Sequence, residues 1–487
     1  MTGVPLLTAL VACPAVGLAV LLAIPGRYPK AIKVAAALTG LATLLVTALV
    51  CLRFDPGASG YQMVERLPWI PAVGIEWHNG VDGISLPLLV LTSIVFFTGV
   101  LVMWELEERV KEFFAFMALL VTGVFGVFVS LDLFFFVFFY EVAVLPMYLL
   151  IAVWGSTRKE YGAMKLTLYL LAGTALVVPA ALAIYWAAGL NSFDLVRLAA
   201  VTYGRSFQIV VYPFLFVGFG ILAGMWPLHT WSPVGHVAAP TAVSMLHAGV
   251  LMKLGAYGIL RVAMVTLPEG AHYWAYATAV FATVNIVYGA FVAMAQTDLK
   301  FVIGFSSVSH MGIVLLGLST LSVDGINGAV FQMFSHGVMT ALFFAAVGFI
   351  YDRLHTRDMM RLGGLSRHIP VASAFFIAAA LCGAGVPGFS SFWAELLVFL
   401  GTLKTYPVLA WIVVLALVIT MAYSMRAIVV AFFGEPREAH PHVADITLFL
   451  SLPRAILVGV LLVLGFYPRL ILDVIDPATR ALIGALS

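Results

Sequence analysis

Charged residues are scarce in this chain. Of its 487 residues, 10% are charged and 63% are hydrophobic, whereas a soluble domain has about 25% charged and about 45–50% apolar residues. A soluble fold of this length would need more polar residues for its surface, and a disordered chain would be polar and highly charged. The net charge of only +2 argues against nucleic acid as a partner, because phosphate binding needs a basic face. The composition therefore predicts a protein surrounded largely by the lipid bilayer.

The sequence also lacks the usual patterns for metals, cofactors and nucleotides. Cys13, Cys51 and Cys382 lie far apart, and no CxxC or Cys/His cluster is present to hold zinc, iron–sulfur or haem. There is no phosphate-binding loop, and no GxGxxG joins a strand to a helix. We therefore expect no metal, cofactor or nucleotide in this chain, so the energy for any transport must come from elsewhere.

Apolar runs long enough to cross a membrane fill most of the sequence. A membrane-spanning helix needs about 20 mostly apolar residues, and fourteen runs meet this condition. They cover residues 4–24, 31–53, 81–104, 112–131, 133–154, 162–187, 207–229, 238–265, 271–295, 299–319, 325–351, 370–400, 406–433 and 450–473. Strands of a membrane β-barrel would be about ten residues long with alternating polarity. The predicted fold class is therefore an all-α polytopic membrane protein with about 14 transmembrane helices.

Basic residues alternate along the loops between these runs. The odd-numbered loops hold Arg27, Lys30, Lys33, Arg109, Lys111, Arg158, Lys159, Lys165, Lys300, Arg353, Arg357, Arg361, Arg367 and Arg437. The even-numbered loops hold fewer, among them Arg66, Arg197, Arg205 and Lys404. Because basic loops stay on the cytoplasmic side, the odd loops are predicted to be cytoplasmic and both termini to face the periplasm. The predicted location is a bacterial cytoplasmic (inner) membrane.

Two of the apolar runs are interrupted by glycine and proline. One contains Gly224 and Pro227 shortly before His229, and the other contains three glycines and a proline over residues 383–388, before Glu395. Such interruptions at comparable places in two halves are typical of transporters built from inverted repeats. Broken helices expose unpaired backbone groups, which is tolerable only around a hydrated cavity.

Four ionisable residues fall within or beside the apolar runs, where a charge costs about 2.5–3.5 kcal/mol on insertion scales. They are Glu141, Lys253, Lys300 and Glu395. Residues that accept this cost usually bind or move ions. The alternatives are a structural ion pair for Glu141, snorkelling to the interface for Lys253 and a plain interfacial position for Lys300.

Histidines lie between these charges in the sequence. The candidates are His229, His247, His310 and His336, and Ser306 precedes His310 by four residues, on the same helix face. Histidine titrates near neutral pH and can relay protons through either ring nitrogen. A single histidine in a helix is more often a packing residue, but four in one apolar chain favour a relay. The residues together predict proton movement along a hydrated axis.

Several short motifs occur in a fixed order over roughly residues 110–435. They are Phe138-Phe139-Tyr140-Glu141 with Leu145-Pro146-Met147-Tyr148, Pro227-Leu228-His229-Thr230-Trp231, Ala239-Pro240-Thr241, Gly249-Val250-Leu251-Met252-Lys253-Leu254-Gly255, and Gln296-Thr297-Asp298-Leu299-Lys300 with Ser306-Ser307-Val308-Ser309-His310-Met311-Gly312. This set resembles the antiporter-like membrane subunits of respiratory complex I. Glu395 matches the glutamate that the M-type subunit carries where its sister subunits carry lysine.

This resemblance implies two inverted five-helix repeats and a division into residues 1–110, 111–265, 266–435 and 436–487, the last holding a C-terminal helix. It implies a proton-translocating subunit of NADH:quinone oxidoreductase, with proton transfer through Glu141, Lys253, Lys300 and Glu395 and help from the histidines. NADH, FMN, iron–sulfur clusters and quinone would belong to partner subunits. The partners would be other membrane-arm subunits, including the sister antiporter-like subunits, and the lipid bilayer.

The chain departs from the family pattern near its seventh run. Leu222 stands where relatives usually have a lysine that pairs with the fifth-run glutamate. The following loop reads Trp231-Ser232-Pro233-Val234-Gly235-His236-Val237-Ala238, without the two acids usual there. His247 is unusual for the M type and is a candidate replacement for the lost base. Three readings stay open: a complex I subunit, a subunit of a cation/proton antiporter or membrane-bound hydrogenase, and a spacer that does not pump.

Overall fold

Helices that cross the membrane make up most of the molecule. A computed structural model describes residues 5–58, 60–435 and 443–486, so Arg437 lies outside the described residues. Thirteen helices in this part of the chain are long and apolar enough to span a bilayer. In chain order the helices of the membrane region are α1 (Leu6–Ala23), α2 (Pro29–Arg53), α3 (Ser85–Val102), α4 (Val110–Val129), α5 (Leu133–Trp154), α6 (Lys159–Ala188), α7 (Arg205–Ala223), α8 (Trp231–Ala238), α9 (Thr241–Met264), α10 (Pro268–Ala295), α11 (Leu299–Ser319), α12 (Val323–Leu354), α13 (Pro370–Gly383), α14 (Ser390–Thr405), α15 (Pro407–Phe432) and α16 (Leu448–Phe466).

The two interruptions expected from glycine and proline are present. Helix α7 ends at Ala223, and the chain resumes as the short helix α8 after Gly224, whose φ of 77° is left-handed. The twelfth run is split into α13 and α14, with left-handed backbone at Gly385 and Gly388 between them. Glycine adopts this backbone without the steric penalty of a side chain. When the split run is counted as one passage, the described residues contain fourteen helical passages.

The C-terminal segment differs from the expectation of a single helix. The last membrane helix ends at Phe466, short of the predicted 473, and a separate helix, α17 (Arg469–Leu486), follows it. Pro468 interrupts the helical ladder between the two, because it has no N–H to donate. Helix α17 carries charges at Arg469, Asp476 and Arg480 and apolar residues on its buried face, which suits a position at the membrane surface.

A β-hairpin that the sequence analysis did not predict joins α2 to α3. Strand β1 (Gln62–Ile70) pairs antiparallel with β2 (Ile75–Val81), and the turn uses Gly74 in the left-handed region. Pro68 within β1 weakens the strand signal, since proline is found mainly in edge strands. The membrane region is helical as predicted, and the hairpin is an addition to it.

The hairpin lies on the face formed by the even-numbered loops, here called the even-loop face. Arg66 of β1 donates to Asp194 with a separation of 2.5 Å, and an isolated bridge joins Asn79 to Ser130. Asp132, which caps α5 through the backbone N–H groups of Phe134 and Phe135, accepts from the backbone of Glu76 at 3.0 Å. Burial raises the pKa of the Asp132 carboxyl to about 6. These contacts fasten the hairpin to the ends of α5 and α6.

Helices α9 and α12 form the centre of the bundle. Both are buried along their whole membrane window. Helix α9 contains two π turns, His247–Leu251 and Ile259–Met264, and π turns are frequent at functional sites. Helix α12 packs against α3, α9, α11, α13, α14, α16 and α17. The inverted repeats and the division at residues 110, 265 and 435 stay predictions.

Candidate functional site

The central lysine is buried and contacts a histidine. Lys253 in α9 is 0% exposed, and its Nζ donates to the carbonyl of Ala248 at 2.5 Å and lies 2.7 Å from Nδ1 of His336 in α12. The backbone of α9 forms a π turn over His247–Leu251, next to this contact. No carboxylate pairs with Lys253 within the described residues. A lysine in such a position can pass a proton to the imidazole that it touches.

His336 continues the contact towards a second histidine. Its ring lies 5.2 Å from the ring of His310 in α11, at an interplanar angle of 23°. Nearly parallel rings cannot hydrogen-bond to each other in plane. Nε2 of His336 is buried and has no hydrogen-bond partner among the described residues. Buried polar atoms are nearly always satisfied, often by internal water.

His310 is held by hydrogen bonds on both sides of its ring. Nδ1 lies 2.7 Å from the carbonyl of Ser306, and Nε2 lies 3.1 Å from the carbonyl of Gly383 at the end of α13. A carbonyl oxygen only accepts hydrogen bonds. Both contacts are therefore hydrogen bonds at the same time only when both nitrogens carry a proton. The geometry suits a histidine that visits its cationic form.

Glu395 in α14 lies beside His310 and supplies the matching negative charge. Its Oε1 is 3.6 Å from Nε2 of His310 and accepts from Gln332 at 3.5 Å. The carboxylate is 7% exposed and borders a cleft of about 400 Å³ that continues between α14 and α15 past Gly385 and Val418. Glu395 is thus the point at which the buried chain of contacts meets the outside of the bundle.

Four of the eight predicted site residues therefore form one continuous series. We call Lys253, His336, His310 and Glu395 the Lys253–Glu395 row. Its members come from α9, α12, α11 and α14. The series crosses the middle of the bundle, because each residue lies near the centre of its membrane passage.

Lys300 was predicted to belong to the same series but lies elsewhere. It stands in the first turn of α11, at the face formed by the odd-numbered loops, where its Nζ donates to the carbonyl of Ala239 at 2.9 Å. Ala239 ends α8, the second part of the broken seventh passage. Next to it Asp298 accepts from Arg357 at 2.6 Å. Lys300 therefore helps to cap the end of α8, whose carbonyls also accept from Ser156 and Ser244.

His247 meets a histidine that the sequence analysis had not selected. The rings of His236 and His247 lie 4.3 Å apart. Nε2 of His236 contacts the hydroxyl of Ser232 at 3.0 Å, whereas Nδ1 of His236 and both nitrogens of His247 have no partner among the described residues. The spacing of Ser232 and His236 by four residues was the available signal for His236. His236 precedes Ala239, the residue to which Lys300 donates, by three positions, and His247 precedes Lys253 by six.

His229 stands apart from both groups. It is 2% exposed, and its ring meets the edge of Tyr288 at 4.9 Å. Both of its nitrogens lack a partner among the described residues. It follows the break after α7, where irregular backbone adjoins the membrane interior.

Glu141 is also separate from the row. Its Oε1 accepts from the hydroxyl of Thr174 in α6 at 2.5 Å, and it borders an apolar cleft of about 350 Å³ lined by Phe134, Phe138 and Val178. Leu222, where a lysine was expected by the resemblance, is 0% exposed. No ion pair reaches Glu141 within the described part of the chain. The first carboxylate thus has neither a cation nor a link to Lys253.

Comparison with known proteins identifies the family. Residues 130–420 match the family model for the membrane region of NADH:quinone oxidoreductase and Mrp antiporters. The chain belongs to this family. Its antiporter-like relatives include NADH-quinone oxidoreductase subunit M of Rhodobacter capsulatus, 37% identical over 91% of this chain and 88% of that protein. NAD(P)H-quinone oxidoreductase chain 4 of Picosynechococcus sp. is 40% identical over 82% of this chain and 72% of that protein.

Solved structures agree with the antiporter-like fold. A chain of respiratory complex I from Thermus thermophilus with bound NADH superposes with a TM-score of 0.91 at 26% identity, covering 99% of this chain and 100% of that one. A chain of the Mrp complex from Dietzia sp. superposes with a TM-score of 0.85 at 22% identity, covering both chains fully at 100% each. This antiporter-like chain is therefore a multi-pass subunit of the kind found in multisubunit membrane complexes.

Proposed function

We propose that this chain is a proton-translocating membrane subunit of NADH:quinone oxidoreductase and that protons pass along the Lys253–Glu395 row. The observation that carries the proposal is the series of neighbouring buried titratable side chains. It begins with the 2.7 Å contact of Lys253 to His336, continues to His310, whose ring lies 5.2 Å from that of His336, and ends 3.6 Å from His310 at Glu395. The names of the relatives support the complex I assignment.

The geometry suggests an order of proton transfers. The ammonium of Lys253 gives a proton to Nδ1 of His336, and His336 releases one from Nε2 to a bridging water. The water passes it to His310, and the resulting imidazolium gives it to the carboxylate of Glu395. Each transfer moves one proton from donor to acceptor. The row returns to its starting state when Glu395 has released its proton to the cleft that it borders, the proton on His336 has returned from Nδ1 to Nε2, and Lys253 is reprotonated. Histidine suits the middle positions because its two nitrogens can receive and release on opposite sides.

The driving energy has to come from partner subunits. Moving one charge across the membrane involves about 2.3 kcal/mol per 100 mV. In this proposal NADH, FMN, iron–sulfur clusters and quinone belong to partners, and the sister antiporter-like subunits are its neighbours in the membrane arm. The chain lies in the bacterial cytoplasmic membrane with both termini on the periplasmic side, so the face formed by the odd-numbered loops is cytoplasmic. Lys300 and the His236–His247 pair then lie on the side from which protons are taken up.

The first test is Lys253→Ala in the intact complex, reconstituted in liposomes. We expect proton passage through this chain to fall about 100-fold or more, the usual scale for loss of a proton-transfer group. The number of protons pumped per electron pair then falls by the number that this chain translocates, while electron transfer continues. A matched control is Lys404→Ala, which removes a lysine that forms a surface ion pair with Asp324 at 2.5 Å. An unchanged proton yield in assembled Lys253→Ala complex would contradict the proposal.

Two other functions have specific support. The isolation of Glu141 and the presence of Leu222 fit a spacer that holds pumping neighbours in register. The likeness to the Mrp complex shows the fold alone, and it leaves room for a cation/proton antiporter or a membrane-bound hydrogenase. Gentle solubilisation of the tagged chain and mass spectrometry of what co-purifies would separate these. Flavin- and iron–sulfur-containing partners are expected here, whereas only membrane chains would favour an antiporter.

A further inference from the structure

A polar stripe runs along α9 from the central lysine towards the even-loop face. Lys253, Tyr257 and Arg261 follow one another at intervals of four residues, so they share one side of the helix. All three are at most 7% exposed. Arg261 Nε donates to the hydroxyl of Tyr257 at 3.3 Å, and that hydroxyl donates to the carbonyl of Phe128 at 3.1 Å. The three residues are thus linked by their helical spacing, and the hydrogen bonds join Tyr257 to Arg261.

A buried ion pair stands at the outer end of the stripe. Arg261 pairs with Asp82, which follows strand β2, and the two side chains are each 7% exposed. Arg261 Nη1 also lies 3.4 Å from the hydroxyl of Tyr61. The guanidinium carbon sits 5.3 Å from the ring centre of Tyr61 and 5.5 Å from that of Tyr257. The positive charge is thus fixed in place by contacts from the hairpin and from its own helix.

A surface cavity reaches this ion pair from outside. Its volume is about 190 Å³, and its walls include Tyr61, Asp82, Arg261 and residues of α17 such as Ala481 and Leu482. Inward of the pair, Tyr257 and then Lys253 follow on the same side of α9 at intervals of four residues. The pair therefore separates a solvent-accessible pocket from the central lysine by about two helical turns.

We propose that Arg261, held by Asp82, is an electrostatic seal that stops protons from passing between the even-loop face and Lys253 along α9. The inference rests on the proposed function of Lys253. A fixed guanidinium keeps its charge at any physiological pH and repels an excess proton on approach, as basic residues do in pores that exclude protons. Asp82 holds the seal in position, because a buried arginine without its partner would be strongly destabilised. With this route closed, protons leave Lys253 only through His336.

The alternative is that Arg261 and Asp82 simply fasten the hairpin to α9. A purely structural pair would change stability when altered but would not change the passive proton permeability of an assembled complex. A passive measurement without electron donor therefore distinguishes the two. It also separates this inference from the proposed function, whose failure appears as unchanged pumping in Lys253→Ala.

The experiment uses the intact complex in liposomes loaded with a pH-sensitive dye, with an imposed pH gradient and no electron donor. The main variant is the double substitution D82N/R261Q, which removes both charges and so leaves no unpaired ion to prevent folding. We expect its passive proton flux to exceed that of the wild type about tenfold or more, because the fixed guanidinium that excludes an excess proton is replaced by a neutral amide. R261K, which keeps the positive charge, should stay within about twofold of the wild type.

Two further variants test whether the extra proton flux passes along α9 through Lys253. D476N/R480Q removes an exposed Arg–Asp pair on the same face, whose atoms lie 2.6 Å apart, and should leave the flux unchanged. Adding K253M to D82N/R261Q should remove most of the extra flux. The seal is overturned if assembled D82N/R261Q complex leaks no more than the wild type. It is also overturned if the surface control leaks equally, if potassium leaks as well, or if K253M leaves the extra flux intact.

Discussion

Two carboxylates lie within membrane passages of this bundle, Glu395 buried and Glu141 partly exposed, and their surroundings differ sharply. Glu395 lies 3.6 Å from His310 and belongs to a series of titratable groups that reaches Lys253. Glu141 contacts the hydroxyl of Thr174 and borders an apolar cleft. Both residues carry the cost of an acid within a membrane passage. The comparison teaches that two acids with the same cost can differ in their contacts, since Glu395 adjoins further titratable groups and Glu141 does not.

The largest expected effect comes from exchanging each carboxylate for an amide. Glu395→Gln removes the proton acceptor at the end of the row, so proton passage through this chain should fall about 100-fold or more. Glu141→Gln should change it less than about twofold, because no described contact joins Glu141 to Lys253. The measurement is the proton-to-electron ratio of the reconstituted complex. Equal losses in the two variants would show that Glu141 is connected after all.

A smaller loss is expected from crowding the carboxylate of Glu395. A Cβ at Gly385 would lie 2.6 Å from Oε2 of Glu395, and the φ of Gly385 is 66°. Gly385→Ala therefore combines backbone strain of about 1–2 kcal/mol with displacement of the carboxylate. Gly388→Ala is the matched control, since its φ is 99° but its Cβ meets only Phe466, at 3.6 Å. We expect both to lower the thermal stability of the complex, and Gly385→Ala alone to lower pumping about fivefold or more. Similar pumping in the two would contradict the role given to Glu395.

The substitution Leu222→Lys would restore, in the first half of the molecule, the lysine that relatives usually carry at this position. Leu222 follows Phe219 by one turn of α7, and the ring of Phe219 lies 6.3 Å from that of Tyr140, next to Glu141. A lysine here would be paired with Glu141, so the single variant should assemble. The double variant L222K/E141Q buries an unpaired lysine and should lose about 3–5 kcal/mol of stability. Thermal unfolding of the two complexes checks this, and equal stability would mean that the lysine does not reach Glu141.

The smallest effect is expected at a residue that positions His310 indirectly. The hydroxyl of Tyr423 in α15 donates to Ser306 Oγ at 2.8 Å, and Ser306 contacts His310 through its carbonyl at 2.7 Å. Tyr423→Phe removes one buried hydrogen bond, worth about 0.5–1.5 kcal/mol. Pumping should fall about twofold to fivefold, with the larger deficit at the pH extremes of the activity profile. A uniform loss at every pH would indicate a general loss of stability instead.

Most of the membrane topology could be predicted from the sequence. Hydropathy fixes a helix wherever about 20 apolar residues occur together, because the bilayer leaves the backbone no other way to satisfy its hydrogen bonds. Gly224 and the glycines of residues 383–388 likewise marked both helix breaks. The hairpin over residues 62–81 was missed because Pro68 disturbs its alternation and because it lies outside the bilayer, where hydropathy carries no signal.

The site was only partly accessible from the sequence. The four residues of the Lys253–Glu395 row could be selected from the sequence, since an ionisable side chain within an apolar run costs free energy to insert into the membrane. Their partners were not, because the contact of Lys253 with His336 joins positions 83 residues apart and depends on how α9 packs on α12. Lys300 was placed in the row for its charge, yet it binds the carbonyl of Ala239. Helix packing decides which buried charges come into contact, and this packing cannot be read from a single sequence.

The π turn at Ile259–Met264 has a consequence for how this protein can change over evolution. Four residues of a regular α-helix turn about 40° past a full circle, so residues spaced by four drift slowly around the axis. The wider π turn winds less per residue and offsets that drift between Tyr257 and Arg261. Deletion of a single residue from this turn would swing Arg261 away from Asp82 while leaving the other residues in their order. The position of the ion pair is therefore encoded in the number of residues in α9 as much as in their identity.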